Sequence, residues 1–250
     1  MSDGYLIAGN VFVQRLNKQG QPDGGAIGPI NTTKLAIKVE SESKQRTSNK
    51  KVDYGQVLDD VRIPKPTVIN WAFDDQPTEL VAMALMGDVV AINDASGTLT
   101  DQAVTLPADQ KWVEVGQKNF AAVGLMVKQG AAELVLNTDF EFNYALGLIR
   151  AVKGGKVDAG GAVTFTGQYN ARSGKRINGA LNSQIRVRLF GEGENLANGK
   201  QVEFDIYDVS MSPSSELDLA STDFVGAEFE GTAKISAGKA APFVVDEITA

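Results

Sequence analysis

Glycine-lysine pairs are the nearest approach to reactive chemistry in this chain. Lys153-Gly154-Gly155-Lys156 and Ser173-Gly174-Lys175 resemble the end of a phosphate-cradling loop. Such a loop needs a glycine five residues ahead of its Gly-Lys pair and a Ser or Thr behind it, so that backbone amides wrap the phosphates. Neither stretch meets that pattern. GEGENL at 191–196 begins as a dinucleotide fingerprint does, but Leu196 stands where the third glycine belongs, and no helix pattern follows. The acid pairs Asp59/Asp60 and Asp74/Asp75 are sequence neighbours; in a turn or cap they do not face one another as an acid/base pair must. Asn31-Thr32-Thr33 fits a glycosylation acceptor, which matters only on a secretory route. The chain contains neither histidine nor cysteine. Ser-His-Asp and Cys-His nucleophiles, histidine and thiolate metal sites, disulfides and the commonest general base are thereby excluded. An enzyme would have to work with carboxylates, Lys, Tyr or Ser alone. The expectation is a protein that is not an enzyme and carries no cofactor or metal.

Charge points the same way. The formal net charge is -7, the opposite of what a protein that grips DNA by its phosphates needs. An acidic balance suits a soluble protein, or a surface that nucleic acid slides past. The apolar fraction of 43% can build a real core, and no apolar run is long enough to span a membrane. The opening MSDGYLIAGNVFVQ lacks the basic start and apolar stretch of a signal peptide, so folding in a cytoplasm is expected.

The elements that would position any site are strands. KLAIKVESE at 34–42 alternates Leu35, Ile37 and Val39 against Lys34, Lys38, Glu40 and Glu42. QIRVRLF at 184–190 sets Ile185, Val187 and Leu189 against Arg186 and Arg188; QVEFDIYD at 201–208 sets Val202, Phe204 and Ile206 against Glu203 and Asp205. Further strands are predicted near 4–14, 61–73, 111–116, 122–128, 132–144, 146–152, 162–169, 227–235 and 242–248, many separated by glycine-bearing turns. One helix is predicted, DDQPTELVAMALMG at 74–87, with Asp74 or Asp75 as cap, Pro77 in the first turn and Gly87 as stop. Residues 15–31 and 170–183 read as irregular polar loops. Residues 41–60 form a long polar connection that gathers Lys44, Arg46, Lys50 and Lys51 and has little apolar surface to order it.

The layout itself carries a resemblance. A strand enters the 41–60 hairpin, returns over 61–73 and runs into a short helix ending Leu-Met-Gly. Later, residues 185–233 give two paired strands, a loop through Asp223-Phe224 and another strand, and NTDFEFNYALGLIRAVKGG with AVTFTGQYNA (137–171) repeats an Asp-aromatic, strand, Gly, strand cadence. From about residue 30 to 235 the chain resembles the major tail tube protein of long-tailed bacteriophages, fold kin of contractile-tail and type VI secretion tube proteins.

The resemblance implies a mainly β fold: a β-sandwich or barrel with one flanking short helix and a long extended hairpin. It implies a hexameric ring with a shared inner β-barrel, rings stacking into a hollow conduit for DNA delivery into the host. One tail-tube domain, 1–250, is implied, with 41–60 as assembly hairpin and 88–180 as an outward elaboration. Strands 34–42, 61–71, 184–190 and 201–208 would line the lumen, presenting Lys38, Glu40, Arg62, Asn70, Arg186, Arg188, Glu203 and Asp205. Lys44, Arg46, Lys50 and Lys51 would meet Asp218, Asp223, Glu228 and Glu230 of a neighbouring subunit. The implied partners are the chain itself, a tape-measure protein, other tail proteins and DNA in transit without stable binding, with no membrane; the implied location is the virion tail, assembled in the bacterial host cytoplasm. The alternatives are a tail terminator or distal tail adaptor ring protein, and a carbohydrate-binding β-sandwich module that would draw on Trp71 and Trp112.

Overall fold

A computed structural model describes residues 4–223 and 225–248; Phe224 of the Asp223-Phe224 loop lies outside the described residues. In chain order the elements are β1 (Ile7–Leu16), β2 (Pro22–Ile30), β3 (Thr32–Lys38), β4 (Ser41–Thr47), β5 (Val57–Pro64), β6 (Val68–Phe73), α1 (Thr78–Ala84), β7 (Asp88–Asp94), β8 (Gly97–Leu106) and β9 (Val113–Glu114). They continue with β10 (Met126–Gln129), β11 (Ala132–Glu133), β12 (Phe140–Asn143), β13 (Leu148–Ala151), β14 (Gly161–Tyr169), β15 (Arg172–Asn178), β16 (Ile185–Asn195), β17 (Lys200–Pro213), β18 (Ala227–Ala233) and β19 (Phe243–Ile248). The fold is mainly β, as its alternating sequence dictates. Where one domain of 1–250 was expected, the chain divides into two compact units: residues 1–89 with 177–250, and residues 90–176.

The first unit is built on an eight-stranded sheet in the order β2-β1-β16-β17-β18-β6-β3, with β19 also paired to β17. Long β17 makes this branching possible. Its first half pairs with β19 (Phe204↔Val245) and its second half with β18 (Met211↔Gly231). Period-two alternation turns Ile185, Val187, Leu189, Val202, Ile206, Val209 and Met211 to one side, where they are buried. The core gathers there: Trp71, Phe73 and Phe229 interlock at ring separations of 4.4–5.8 Å, and Leu80 and Met83 of α1 pack into the same cluster. Burying one such large side chain contributes roughly 2–3 kcal/mol. The outermost strands of the path, β2 and β3, are joined by Asn31 alone, so the sheet curls until their ends meet. They do not pair, and among the described residues no sheet closes into a barrel.

The second unit has its own core. A four-stranded sheet, β11-β10-β14-β8, and a three-stranded sheet, β12-β13-β9, share it, with Phe142 of β12 stacked on Phe165 of β14 at 5.1 Å. The chain passes between the units along β7 and β15, which pair with each other.

Several local expectations change. The single strand 61–73 is two strands, β5 and β6, because Pro64 and Pro66 lack the amide a continuing ladder requires. β4 and β5 pair only with one another, making a ribbon apart from the main sheet. Residues 22–30 and 172–178, expected as loops, are strands despite their glycines. Helix α1 begins after Pro77 without a side-chain cap; Asp75 and Asp74 instead accept hydrogen bonds from the Asn31 amide (2.7 Å) and its Nδ2 (2.6 Å). At the other end Met86, not Gly87, takes the left-handed turn, at φ +52°, while the Gly87 amide reaches back to the Ala82 carbonyl. Gly87 is needed for closeness: a Cβ there would press on the Asn178 carbonyl.

Candidate functional site

Two surfaces of the first unit combine unusual chemistry with exposure: the solvent face of the eight-stranded sheet and the β4–β5 ribbon. On the sheet, the side chains opposite the core come from six predicted lumen residues, Lys38, Asn70, Arg186, Arg188, Glu203 and Asp205, joined by Glu228 and Glu230. Register explains the grouping. Asn70 lies between Ala36 and Glu230, and Glu230 lies across from Ser212. Arg62 does not belong to this face, because its strand is part of the ribbon, where it stands 3.8 Å from Asp60. Glu40 lies between β3 and β4 and pairs with Lys38 at 2.8 Å. That hydrogen bond raises the Lys38 pKa and lowers that of Glu40.

The two arginines are held rather than free. Arg188 grips Asp205 through both oxygens, at 2.8 and 2.6 Å, and lies over the Phe190 ring at 4.6 Å. Arg186 grips buried Asp208 in the same bidentate way, Nε at 2.7 Å, with Nη2 on the second oxygen, and donates to the Lys18 carbonyl. A one-residue irregularity between Val187 and Leu189 shifts β17 so that these acids come within reach. Hydrogen bonds donated to these carboxylates hold both guanidinium pKa values above their ordinary range. Beside them lies an acidic row. Glu192, Glu203 and Asp246 stand directly across from one another on β16, β17 and β19. Among the described residues none of the three forms an ion pair; Glu192 accepts a hydrogen bond from Asn10 at 2.8 Å. Like charges facing each other across strands are mildly destabilising.

A family profile described as "Protein of unknown function UCP028589" matches residues 4–242. The chain belongs to that family. No curated protein matches it. In this UCP028589 member the profile spans both compact units, so neither is an appendage outside the family's extent.

On the ribbon, Arg46 pairs with Asp59 at 2.6 Å within the same hairpin, while Lys44, Lys50 and Lys51 are exposed. The tip is organised by buried Ser48, whose hydroxyl donates to Asp53 at 2.7 Å and whose backbone binds Gly55 and Gln56. Asp218 and Asp223 lie in the exposed β17–β18 connection, Asp218 accepting from the Ala220 amide. Within one chain no ion pair joins these acids, Glu228 or Glu230 to the ribbon lysines among the described residues. Sequence reading missed the ribbon's apolar content: Val52, Tyr54, Val57, Leu58, Val61 and Ile63 are all exposed. The signal was present in the alternation Val61-Arg62-Ile63.

The motifs that resembled chemistry are structural. The Lys156 amide of the 153–156 turn donates to the Asp139 carboxylate at 2.9 Å, and the Val135 amide does so at 2.8 Å. GEGENL is the end of β16; Gly193 lets β1 approach closely, since its Cβ would press on Gly9 and the Ala8 carbonyl. Trp71 is core, so only Trp112 is an exposed indole, and Arg150 lies over its ring at 4.7 Å.

Proposed function

We propose that this protein is a structural subunit of a phage tail tube, forming hexameric rings that stack into a hollow conduit for DNA, and that it is not an enzyme. The observation that carries this reading is the sheet face. It is long, polar and curled; its arginines are neutralised in place; and Glu192, Glu203 and Asp246 form a carboxylate row without an ion pair among the described residues. Such a row repels phosphate, and the paired arginines offer DNA little to hold. The open curl supports the reading as well. Edge strands left unpaired in one chain can pair with copies of themselves, and a ring of copies would remove those edges in a shared barrel.

In this account the ribbon reaches a neighbouring subunit, its lysines meeting acids there, with Asp218, Asp223, Glu228 and Glu230 as partners. A tape-measure protein would occupy the lumen before DNA, and the assembly would reside in the virion tail after formation in the host cytoplasm. Negative-stain microscopy and light scattering of the purified chain test the proposal. Rings or tubes are expected, with interfaces above roughly 1,000 Å² per pair. A strictly monomeric species at high concentration would overturn it.

A further inference from the structure

The first unit contains a cleft of about 350 Å³ where its sheet fails to close. One wall is the first half of β1, from Ile7 to Asn10, whose pairing is with β16 alone because β2 joins β1 only from Val11 onward. The other wall is β3, which pairs with β6 alone. Among the described residues both walls therefore present an unpaired strand edge. The floor is apolar: Leu35, Ile37, Val202, Phe204 and Val245 line it, and Ile7 stands 44% exposed at its mouth. Lys34 marks one rim and Glu192 the other. A cleft of this kind leaves apolar surface in water and backbone donors without ladder partners.

The β4–β5 ribbon has the converse problem. An isolated two-stranded ribbon is marginal in water. Every residue of β4 and β5 is exposed, and Val61 is 58% exposed. Cross-strand register puts Val61 beside Lys44, and Ile63 beside Glu42, on one face. That face thus offers two apolar side chains flanked by Lys44 and Glu42, with Arg46 and Asp59 paired to each other at its end, matching an apolar floor flanked by Glu192 and Lys34. Because the ribbon is exposed while its own chain's cleft is open, the complementary surfaces are not joined within the chain.

We infer that the cleft between β1 and β3 is the seat for the β4–β5 ribbon of a second copy of this chain, with Val61 and Ile63 entering it. The inference rests on the tube reading only in taking the partner to be another copy. It gives the apolar face of the ribbon a seat in the unclosed sheet, and leaves the acids Asp218, Asp223, Glu228 and Glu230 as the proposed partners of the lysines at its tip, Lys50 and Lys51.

The absence of native cysteine makes a direct test clean. Val61→Cys is placed on one preparation and Thr33→Cys, an exposed position lining the cleft, on a second that carries a size tag. A control preparation carries Ser212→Cys on the solvent face of β17. All three positions are exposed, so none removes core packing, and melting curves verify the folds. On mild oxidation of mixtures, Val61→Cys is expected to form a mixed disulfide dimer with Thr33→Cys and to stay at background with Ser212→Cys, since the bond needs the two Cβ atoms within about 4.5 Å. Equal linking to both positions overturns the seat. So does failure to link while the parent protein builds rings or tubes, and in that case the tube reading survives. Selective linking without rings or tubes supports the seat and counts against the tube. A monomer that links to neither refutes both.

Discussion

Replacing Asp208 by alanine tests whether the arginines of the sheet face are structural. The Asp208 side chain is 3% exposed and accepts from Arg186 on both oxygens, while Nη1 of Arg186 donates to the Lys18 carbonyl at 2.5 Å. Alanine removes the anion and strands the guanidinium over the Gly20 turn, where a Cβ would already crowd it. Deleting one partner of a buried pair costs about 3–5 kcal/mol. The Arg186 side chain is 22% exposed, so water reaches the stranded charge and about 2–3 kcal/mol is the expected loss. The double variant Arg186→Met/Asp208→Leu strands no charge and should recover about 1–2 kcal/mol relative to the sum of the singles. Urea unfolding followed by Trp71 fluorescence in a Trp112→Phe background reads the first unit alone, because each unit holds one tryptophan. A loss below about 0.5 kcal/mol for Asp208→Ala, or simple additivity in the double variant, would refute the reasoning.

Acid should weaken the second unit through Asp139. Two backbone amides hold its carboxyl below the ordinary value of 3.8, the Lys156 amide first, so its stabilisation is complete above that value and is lost as pH falls through the lowered one. Protection of the Val135 and Lys156 amides from exchange, taken relative to the intrinsic rate at each pH, is therefore expected to fall in acid, and to fall at neutral pH in Asp139→Asn; unchanged protection in the variant would contradict this. On the sheet face, Glu192→Lys with Asp246→Lys flanks Glu203 with cations and relieves a like-charge row without touching the core. The parent should not retard duplex DNA in a gel at physiological salt, whereas the variant should, with retardation that fades steeply as salt rises. Salt-sensitive retardation by the parent would sink the repelling-wall account.

The strands that build the sheet centre were legible because burial on one side alone writes period two into β16 and β17. The same rule hid β2 and β15: PDGGAIGPI and RSGKRIN are mostly exposed, so no apolar alternation marks them. β8 was hidden as well, since in GTLTDQAVTL only Val104 and Leu106 are buried. The candidate site was half legible. Alternation placed Arg186, Arg188, Glu203 and Asp205 on a polar face, but their net sign depends on a one-residue shift in β17 that brings Asp205 and Asp208 under the arginines, and no local pattern encodes that shift. The acidic row was invisible for a related reason: Glu192, Glu203 and Asp246 are distant in sequence and meet only through register.

The nesting of one unit within the other also sets an order of events during synthesis. Residues 90–176 are contiguous, so the second core can form once that stretch has emerged. The first unit must wait: Val13 needs Leu189, and β6 needs β18. Until those late strands arrive, β1 and β3 are loose apolar segments, and the loop that must close around the already folded insert makes their pairing slow. The proposed association between copies would therefore have to wait until nearly all of the chain has been made, which keeps it off the ribosome.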